Sequence, residues 1–148
     1  MKKIVSGLLA AALAMLLALP ARAGSLAVEA EACLLMEKTT GQILYAVNEH
    51  QQLEPASVTK IMTILLVMEA IDSGALAYDD MVTASAYACS MGGSQIWLKE
   101  NEQMSVEEML KAVCVASAND CSVALAEHLA GSAEAFVEKM NQCGESWG

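Results

Sequence analysis

Pro55-Ala56-Ser57-Val58-Thr59-Lys60-Ile61-Met62-Thr63-Ile64-Leu65-Leu66-Val67-Met68-Glu69-Ala70-Ile71-Asp72-Ser73-Gly74 is the stretch on which the reading of the fold turns. From Val58 to Ile71 apolar side chains fall on almost every side of a 3.6-residue period. A helix of that kind belongs in the middle of a domain with protein packed all round it, and Ser73-Gly74 supplies its stop. The polar end of the same stretch carries Ser57 and Lys60, three positions apart and therefore one turn apart on one face.

Upstream, an alternating and then apolar run from Val28 to Glu37, the turn residues Thr39-Thr40-Gly41, and a second run from Gln42 to Asn48 predict a β-hairpin. Downstream, Asp79 to Ser90 reads as weakly helical and is broken by Met91-Gly92-Gly93-Ser94. Ser105-Val106-Glu107-Glu108 is a capping box that opens a helix to about Ala116. Ser117-Ala118-Asn119-Asp120 interrupts it and begins the next helix, which passes through Leu125 and Leu129 to a Gly131 stop. A last helix near Ala133 to Asn141 places Phe136, Val137 and Met140 on one face. No internal repeat appears. A single hairpin followed only by helices is a marginal sheet, and the chain reaches Trp147-Gly148 without a closing strand, so it reads as truncated. Residues 24–148 alone are expected to fold poorly, because the apolar faces of the hairpin and of helix 58–71 lack cover.

The 148 residues suit one domain, and two-domain enzymes are all but excluded. A composition 55% hydrophobic and 18% charged can bury a core and is not that of a disordered tail. The net charge of −10 denies a nucleic-acid binder its basic footing. Residues 1–23 differ in kind: Lys2 and Lys3, an apolar run from Ile4 to Leu19, and Ala21-Arg22-Ala23 as an Ala-x-Ala cleavage pattern make a secretory signal peptide. The alternative is a retained anchor, against which stands an apolar run short of the roughly 20 residues a span needs.

Cys33, Cys89, Cys114, Cys121 and Cys143 lie beyond that cleavage point. An odd number leaves at least one thiol unpaired within the chain. Four of the five have apolar or alanine-rich neighbours and read as small buried hydrophobes, and no Cys114–Cys121 disulfide is expected. His50 and His128 lack a partner at metal-ligand spacing. Tyr45, Tyr78, Tyr87 and Trp97 are too scattered for a stacking platform; core or cleft-edge packing is expected, with Trp97 a candidate for the border of a groove.

A serine hydroxyl is a poor nucleophile until a base lies within hydrogen-bond reach, and a lysine in a largely desolvated cleft can be that base. A helix N-terminus favours the anion that develops, and the Ser57 N–H is a candidate oxyanion donor. S-x-x-K spacing alone also arises by chance, as a capping serine beside a solvated lysine. Ser117 and Asn119, at the break between two helices, offer a hydroxyl to relay a proton and an amide to hold an ammonium and a substrate carbonyl; they are equally ordinary capping residues.

Taken in order, Pro55-Ala56-Ser57-Val58-Thr59-Lys60-Ile61-Met62-Thr63, Trp97-Leu98-Lys99-Glu100, Met104-Ser105-Val106, Val115-Ala116-Ser117-Ala118-Asn119-Asp120 and Ala126-Glu127-His128-Leu129-Ala130-Gly131-Ser132, with Phe136-Val137 and Met140-Asn141, resemble the serine D-alanyl-D-alanine carboxypeptidases. These are the low-molecular-weight penicillin-binding proteins. The likeness runs from about Val28 to Gly148. It implies an α+β fold of the penicillin-recognising serine enzyme (β-lactamase/transpeptidase-like) type, incomplete here, with an N-terminal hairpin and a helical region. It implies Ser57 as acylated nucleophile, Lys60 as general base, and Ser117 and Asn119 as the second catalytic element, with no metal or organic cofactor. Ala118 stands where the family usually has glycine and adds one methyl that crowds the turn slightly, and Asp120 is read as structural. The family's third element, Lys-Thr/Ser-Gly on a strand, does not follow Asn119; Lys38-Thr39-Thr40-Gly41 is a decoy in a hairpin turn.

The resemblance further implies an exported enzyme at the periplasm or outer face of the membrane. Its substrate would be a peptidoglycan pentapeptide ending in D-Ala-D-Ala, its covalent inhibitors β-lactams, and its membrane association, if any, would come through a further C-terminal region. A serine β-lactamase of the same superfamily and a non-catalytic secreted wall-binding module are the alternatives.

Overall fold

The structure is a computed structural model and describes residues 26–147; the expected signal peptide lies outside the described residues. The chain divides into two compact units, one ending at Gln52 and one beginning at Leu53.

The first unit is the expected hairpin, with shorter strands than the sequence suggests. Strand β1 (Cys33–Met36) pairs antiparallel with β2 (Ile43–Val47) from Cys33↔Val47 to Met36↔Ile43, with a register shift between Leu35 and Met36. Past the last backbone pair, Asn48 Nδ2 donates to the Glu31 carbonyl at 2.9 Å and holds the open end of the hairpin. Glu37 organises the turn: its carboxylate accepts the Thr39 N–H at 2.9 Å, the Thr40 N–H at 2.6 Å and the Thr40 hydroxyl at 2.7 Å. Those donors favour the ionised form and hold the carboxyl at about 2, well below its ordinary 4.5. Gly41, at φ +70°, returns its N–H to the Glu37 carbonyl. Lys38-Thr39-Thr40-Gly41 thus lies in this turn, as the sequence indicates.

The second unit is built around one helix. A 3-10 turn (Ala56–Thr59) runs into α1 (Lys60–Asp72); β3 (Met81–Thr83), α2 (Ala86–Cys89), β4 (Gln103–Ser105), α3 (Val106–Ala116), α4 (Asn119–Ala130) and α5 (Ala133–Ser146) follow. Helices α1, α2, α3 and α5 and strand β3 all pack on α4. Val67, Val82, Val106, Met109, Cys121 and Leu125 form the centre of the core, each at most 1% exposed. At roughly 25 cal/mol per Å² of buried apolar surface, that convergence on α4 is what fixes the unit.

Helix α1 departs from expectation. Among the described residues only Thr63, Val67 and Ala70 bury, one i, i+4, i+7 line, while Val58 and Ile61 are 62% and 67% exposed. An apolar helix with no periodic polar face carries no mark of which side packs, so the sequence could not choose the line.

The span expected to be weakly helical from Asp79 is also corrected. It opens as β3, paired with β4 through Met81↔Ser105, Val82↔Met104 and Thr83↔Gln103, and only then becomes the four-residue α2, capped by Ser85. Val82 and Ala84, both fully buried, alternate with exposed Thr83, which is a strand period of two over too few residues to read. The chain therefore does not continue from the hairpin as helices alone.

The capping box forms as expected: Ser105 Oγ accepts the Glu108 N–H at 3.2 Å, and Glu108 accepts the Ser105 N–H at 3.3 Å. Gly131, at φ +86°, ends α4. Helix α5 begins at its Ser132 cap and runs past Asn141 to Ser146, with Gly144 inside it.

All five cysteines are free, Cys114 and Cys121 included. The expectation of small buried hydrophobes holds only for Cys121; Cys33, Cys89 and Cys143 are half-buried, and Cys114 is exposed on α3. Alanine neighbours in sequence do not bury a helical residue when its own position faces outward. No described helix is long and apolar enough to cross a membrane.

Candidate active site

Ser57 sits in the 3-10 turn, one residue after Ala56, which is held in the left-handed region at φ +48°. The sequence placed Ser57 and Lys60 on one α-helix; instead Lys60 is the first residue of α1, and the 3-10 turn ahead of it aligns them. Three residues per turn eclipse positions i and i+3, which brings Lys60 Nζ to 3.3 Å from Ser57 Oγ. Ser57 is exposed to solvent and Lys60 half-buried. Ser57 lies in the first turn of the helical segment, where N–H groups have no intrahelical acceptor, the arrangement expected of an oxyanion donor.

The second element arrives from the α3–α4 break. Ser117 ends α3 in the left-handed conformation, φ 54° and ψ 38°, an arrangement sparsely populated by residues other than glycine. That reversal aims its hydroxyl at Ser57, Oγ to Oγ 3.1 Å. Ala118 takes φ −64° and ψ 112°, open to any residue, and its methyl is fully buried in the core. The backbone conformation that favours glycine thus falls on Ser117, not on position 118. Asn119 opens α4, and its Oδ1 accepts a hydrogen bond from Lys60 Nζ at 2.6 Å.

Four side chains chosen from the sequence, Ser57, Lys60, Ser117 and Asn119, thus meet at one place. Ser57, Lys60 and Asn119 line an open cleft of about 420 Å³ together with Thr63, Met91 and Ser122, and Ser117 joins them through its bond to Ser57. A larger groove of about 570 Å³ lies elsewhere, between Leu66, Glu69, Leu76, His128 and Lys139, and holds none of these groups. His128 therefore lies away from the cleft. Trp97 does not border it either: it is 75% exposed, at φ +60°, beside Lys99, Glu100 and Asn101. Tyr78 and Tyr87 are likewise exposed rather than packed in the core.

The sequence gives no sign of the wall behind Asn119. Asn119 Nδ2 donates to the Gly92 carbonyl at 2.6 Å, and the Asn119 N–H to the Ser94 carbonyl at 2.7 Å. Asp120, with no exposed surface, accepts the N–H groups of Ile96 at 3.2 Å, Leu98 at 3.1 Å and Cys121 at 2.9 Å. A buried carboxylate in the first turn of α4 thereby ties down the 92–98 loop and keeps its own acceptors satisfied. That is the structural part the sequence assigned to Asp120. Burial, with Asp120 next, pushes the neighbouring Cys121 thiol up to about 12, so it contributes no nucleophile. Among the described residues no group of three or more His, Cys, Asp or Glu is placed to hold a metal ion.

The arrangement can perform one kind of chemistry well. A hydroxyl within reach of an amine and a second hydroxyl can give up its proton as it attacks, and the amine is held by an amide oxygen.

The family model for D-alanyl-D-alanine carboxypeptidase matches residues 20–148. D-alanyl-D-alanine carboxypeptidase DacF of Bacillus subtilis is 53% identical over 121 residues, 82% of this chain and 31% of that protein. Among solved structures, the D-alanyl-D-alanine carboxypeptidase DacD of Francisella tularensis superposes with a TM-score of 0.80 at 36% identity, over 86% of this chain and 31% of the other. Penicillin binding protein 6B of Escherichia coli superposes with a TM-score of 0.75 at 42% identity, over 86% and 42%. The chain spans about a third of the length of the curated relatives it matches. Its fold is part of the α+β fold of the penicillin-recognising serine enzymes. With residues 20–148 matched and half of the aligned positions identical to a curated relative, the chain belongs to the D-alanyl-D-alanine carboxypeptidase family.

Proposed function

We propose that the whole protein is a serine-type D-alanyl-D-alanine carboxypeptidase acting on peptidoglycan stem peptides. One observation carries the reading: Lys60 Nζ lies 3.3 Å from Ser57 Oγ while Asn119 Oδ1 anchors the same amine at 2.6 Å. As general base, Lys60 accepts the Ser57 proton as Oγ attacks the carbonyl between the two terminal D-alanines. Ser117, 3.1 Å from Ser57 Oγ, passes a proton to the departing amine. The C–N bond breaks and D-alanine leaves; the proton held by Lys60 returns to the Ser117 hydroxyl. Water then hydrolyses the Ser57 ester with Lys60 again as base, its proton going back to Ser57 Oγ. A β-lactam presents a similar carbonyl, opens its ring on Ser57 and remains attached, because its amine stays tethered in the adduct.

The substrate lies outside the cytoplasm, which agrees with reading residues 1–23 as a signal peptide. The test is intact mass spectrometry of the protein as its host produces it, before and after benzylpenicillin, with Ser57→Ala beside it. One penicilloyl adduct, lost in Ser57→Ala, is expected. No adduct, with muropeptide binding unaffected by Ser57→Ala, overturns the reading in favour of a wall-binding module. Rapid turnover of a chromogenic cephalosporin would mark a β-lactamase instead.

A further inference from the structure

The loop behind Asn119 contains one position where an added side chain would force a neighbour to move. Gly93 adopts φ +76°, and a Cβ built on it would lie 2.9 Å from Asn119 Nδ2, closer than real Cβ contacts come. Gly41, Gly74 and Gly131 also have positive φ, yet a Cβ at any of them meets nothing within 4 Å. Only at Gly93 do the backbone requirement and the steric requirement coincide among these four.

The atom in the way is not free to yield. Asn119 Nδ2 is bonded to the Gly92 carbonyl at 2.6 Å and Oδ1 to Lys60 Nζ at 2.6 Å, while the Asn119 main chain is fixed by its N–H to Ser94 at 2.7 Å. Any swing that clears a methyl at 93 opens one of the two side-chain bonds.

We propose that Gly93 is a positioning residue for the Ser57 reaction: the space left by its missing side chain holds the Asn119 amide in the one orientation that anchors the Lys60 amine. The proposal rests on the reading of Ser57 and Lys60 given above.

The test compares Gly93→Ala, Gly74→Ala, Asn119→Ala and the double variant Gly93→Ala/Asn119→Ala in the protein as its host produces it. The rate of penicilloyl formation and turnover of a D-Ala-D-Ala peptide are measured. Gly74→Ala imposes the same left-handed strain, at φ +75°, with no neighbour to strike. It is expected to lower the melting temperature and leave acylation within about twofold. Gly93→Ala is expected to slow acylation by about 10- to 100-fold, the rate equivalent of one hydrogen bond to a charged group. The loss should fall on kcat, with KM unchanged. The double variant is expected to match Asn119→Ala alone, because the amide through which Gly93 acts is gone.

Acylation of Gly93→Ala at the parent rate, or a further loss in the double variant, overturns the proposal. If Gly93→Ala fails to accumulate, the double variant, relieved of the clash, must accumulate; its failure also overturns it. If the parent protein takes no penicilloyl group, the functional reading fails, and the positioning claim is then judged by the crystal structure of Gly93→Ala. There an unchanged Lys60–Asn119 bond would be decisive against it.

Discussion

Replacing Asp120 by alanine tests whether the loop behind Asn119 is held by a buried carboxylate that does not itself line the cleft. The carboxylate has no exposed surface and accepts the N–H groups of Leu98 and Cys121, both buried, and that of half-buried Ile96. Truncation leaves two desolvated donors without acceptors, at about 1 to 3 kcal/mol each, while the Ile96 N–H can turn to water. The loss should therefore be about 4 kcal/mol, a large share of a typical folding free energy. Asp120→Asn keeps the volume and one acceptor oxygen but turns an amide N–H toward a donor, and about 2 kcal/mol is expected. The assay is guanidinium unfolding, read as a fall in midpoint at unchanged slope. Acylation by benzylpenicillin should slow in parallel under conditions where the variant is fully folded, because the released loop also carries Gly92, the acceptor that orients Asn119. An Asp120→Ala variant within about 1 kcal/mol of the parent would refute the claim that unpaired N–H groups set the cost. Normal acylation in a folded Asp120→Ala variant would refute the link from loop to site.

Removing the amine by Lys60→Ala should reduce acylation by about 10²- to 10⁴-fold, the usual weight of a general base, with Ser57 intact; a loss under tenfold would point to another base. Native-state alkylation at mildly alkaline pH should label exposed Cys114 first and leave Cys121 untouched, since its thiol is buried and raised to about 12; peptide mapping that finds Cys121 labelled early would count against the packing described. Glu37 is depressed from 4.5 to about 2 in the folded turn, so its contribution is fully present above 4.5 and is lost as pH falls through about 2. A carboxyl chemical-shift titration placing its midpoint near 4.5 would mean the Thr39 and Thr40 bonds do not persist in solution.

What the sequence made legible follows from the range of each signal. The capping box at Ser105 and Glu108 and the Gly131 stop depend on neighbours within one turn, and both form. Ser57, Lys60, Ser117 and Asn119 were found through a resemblance whose motifs are ordered along the chain, and the fold brings them together. The pairing of Met81–Thr83 with Gln103–Ser105 was hidden, because three-residue strands show too little alternation and depend on a partner some twenty positions away. The Asp120 anchor to Ile96 and Leu98 was hidden for the same reason: an acidic residue after an asparagine gives no sign of the backbone it will face. Gly92-Gly93 was visible only as a break, since the atom that makes Gly93 necessary belongs to another helix. The packed side of α1 was hidden by an excess of apolar residues rather than a lack of them.

The hydrogen bonds joining Ser57 to Ser117 and Lys60 to Asn119 span 60 and 59 positions of chain. Neither can exist in a molecule that has formed its helices without docking α4 beside α1. A collapsed intermediate with full helical content would therefore leave Ser57 an ordinary alcohol, inert to penicillin. Covalent labelling at that one hydroxyl would then count completed molecules during refolding or export, giving a chemical clock for tertiary assembly where circular dichroism registers only helix.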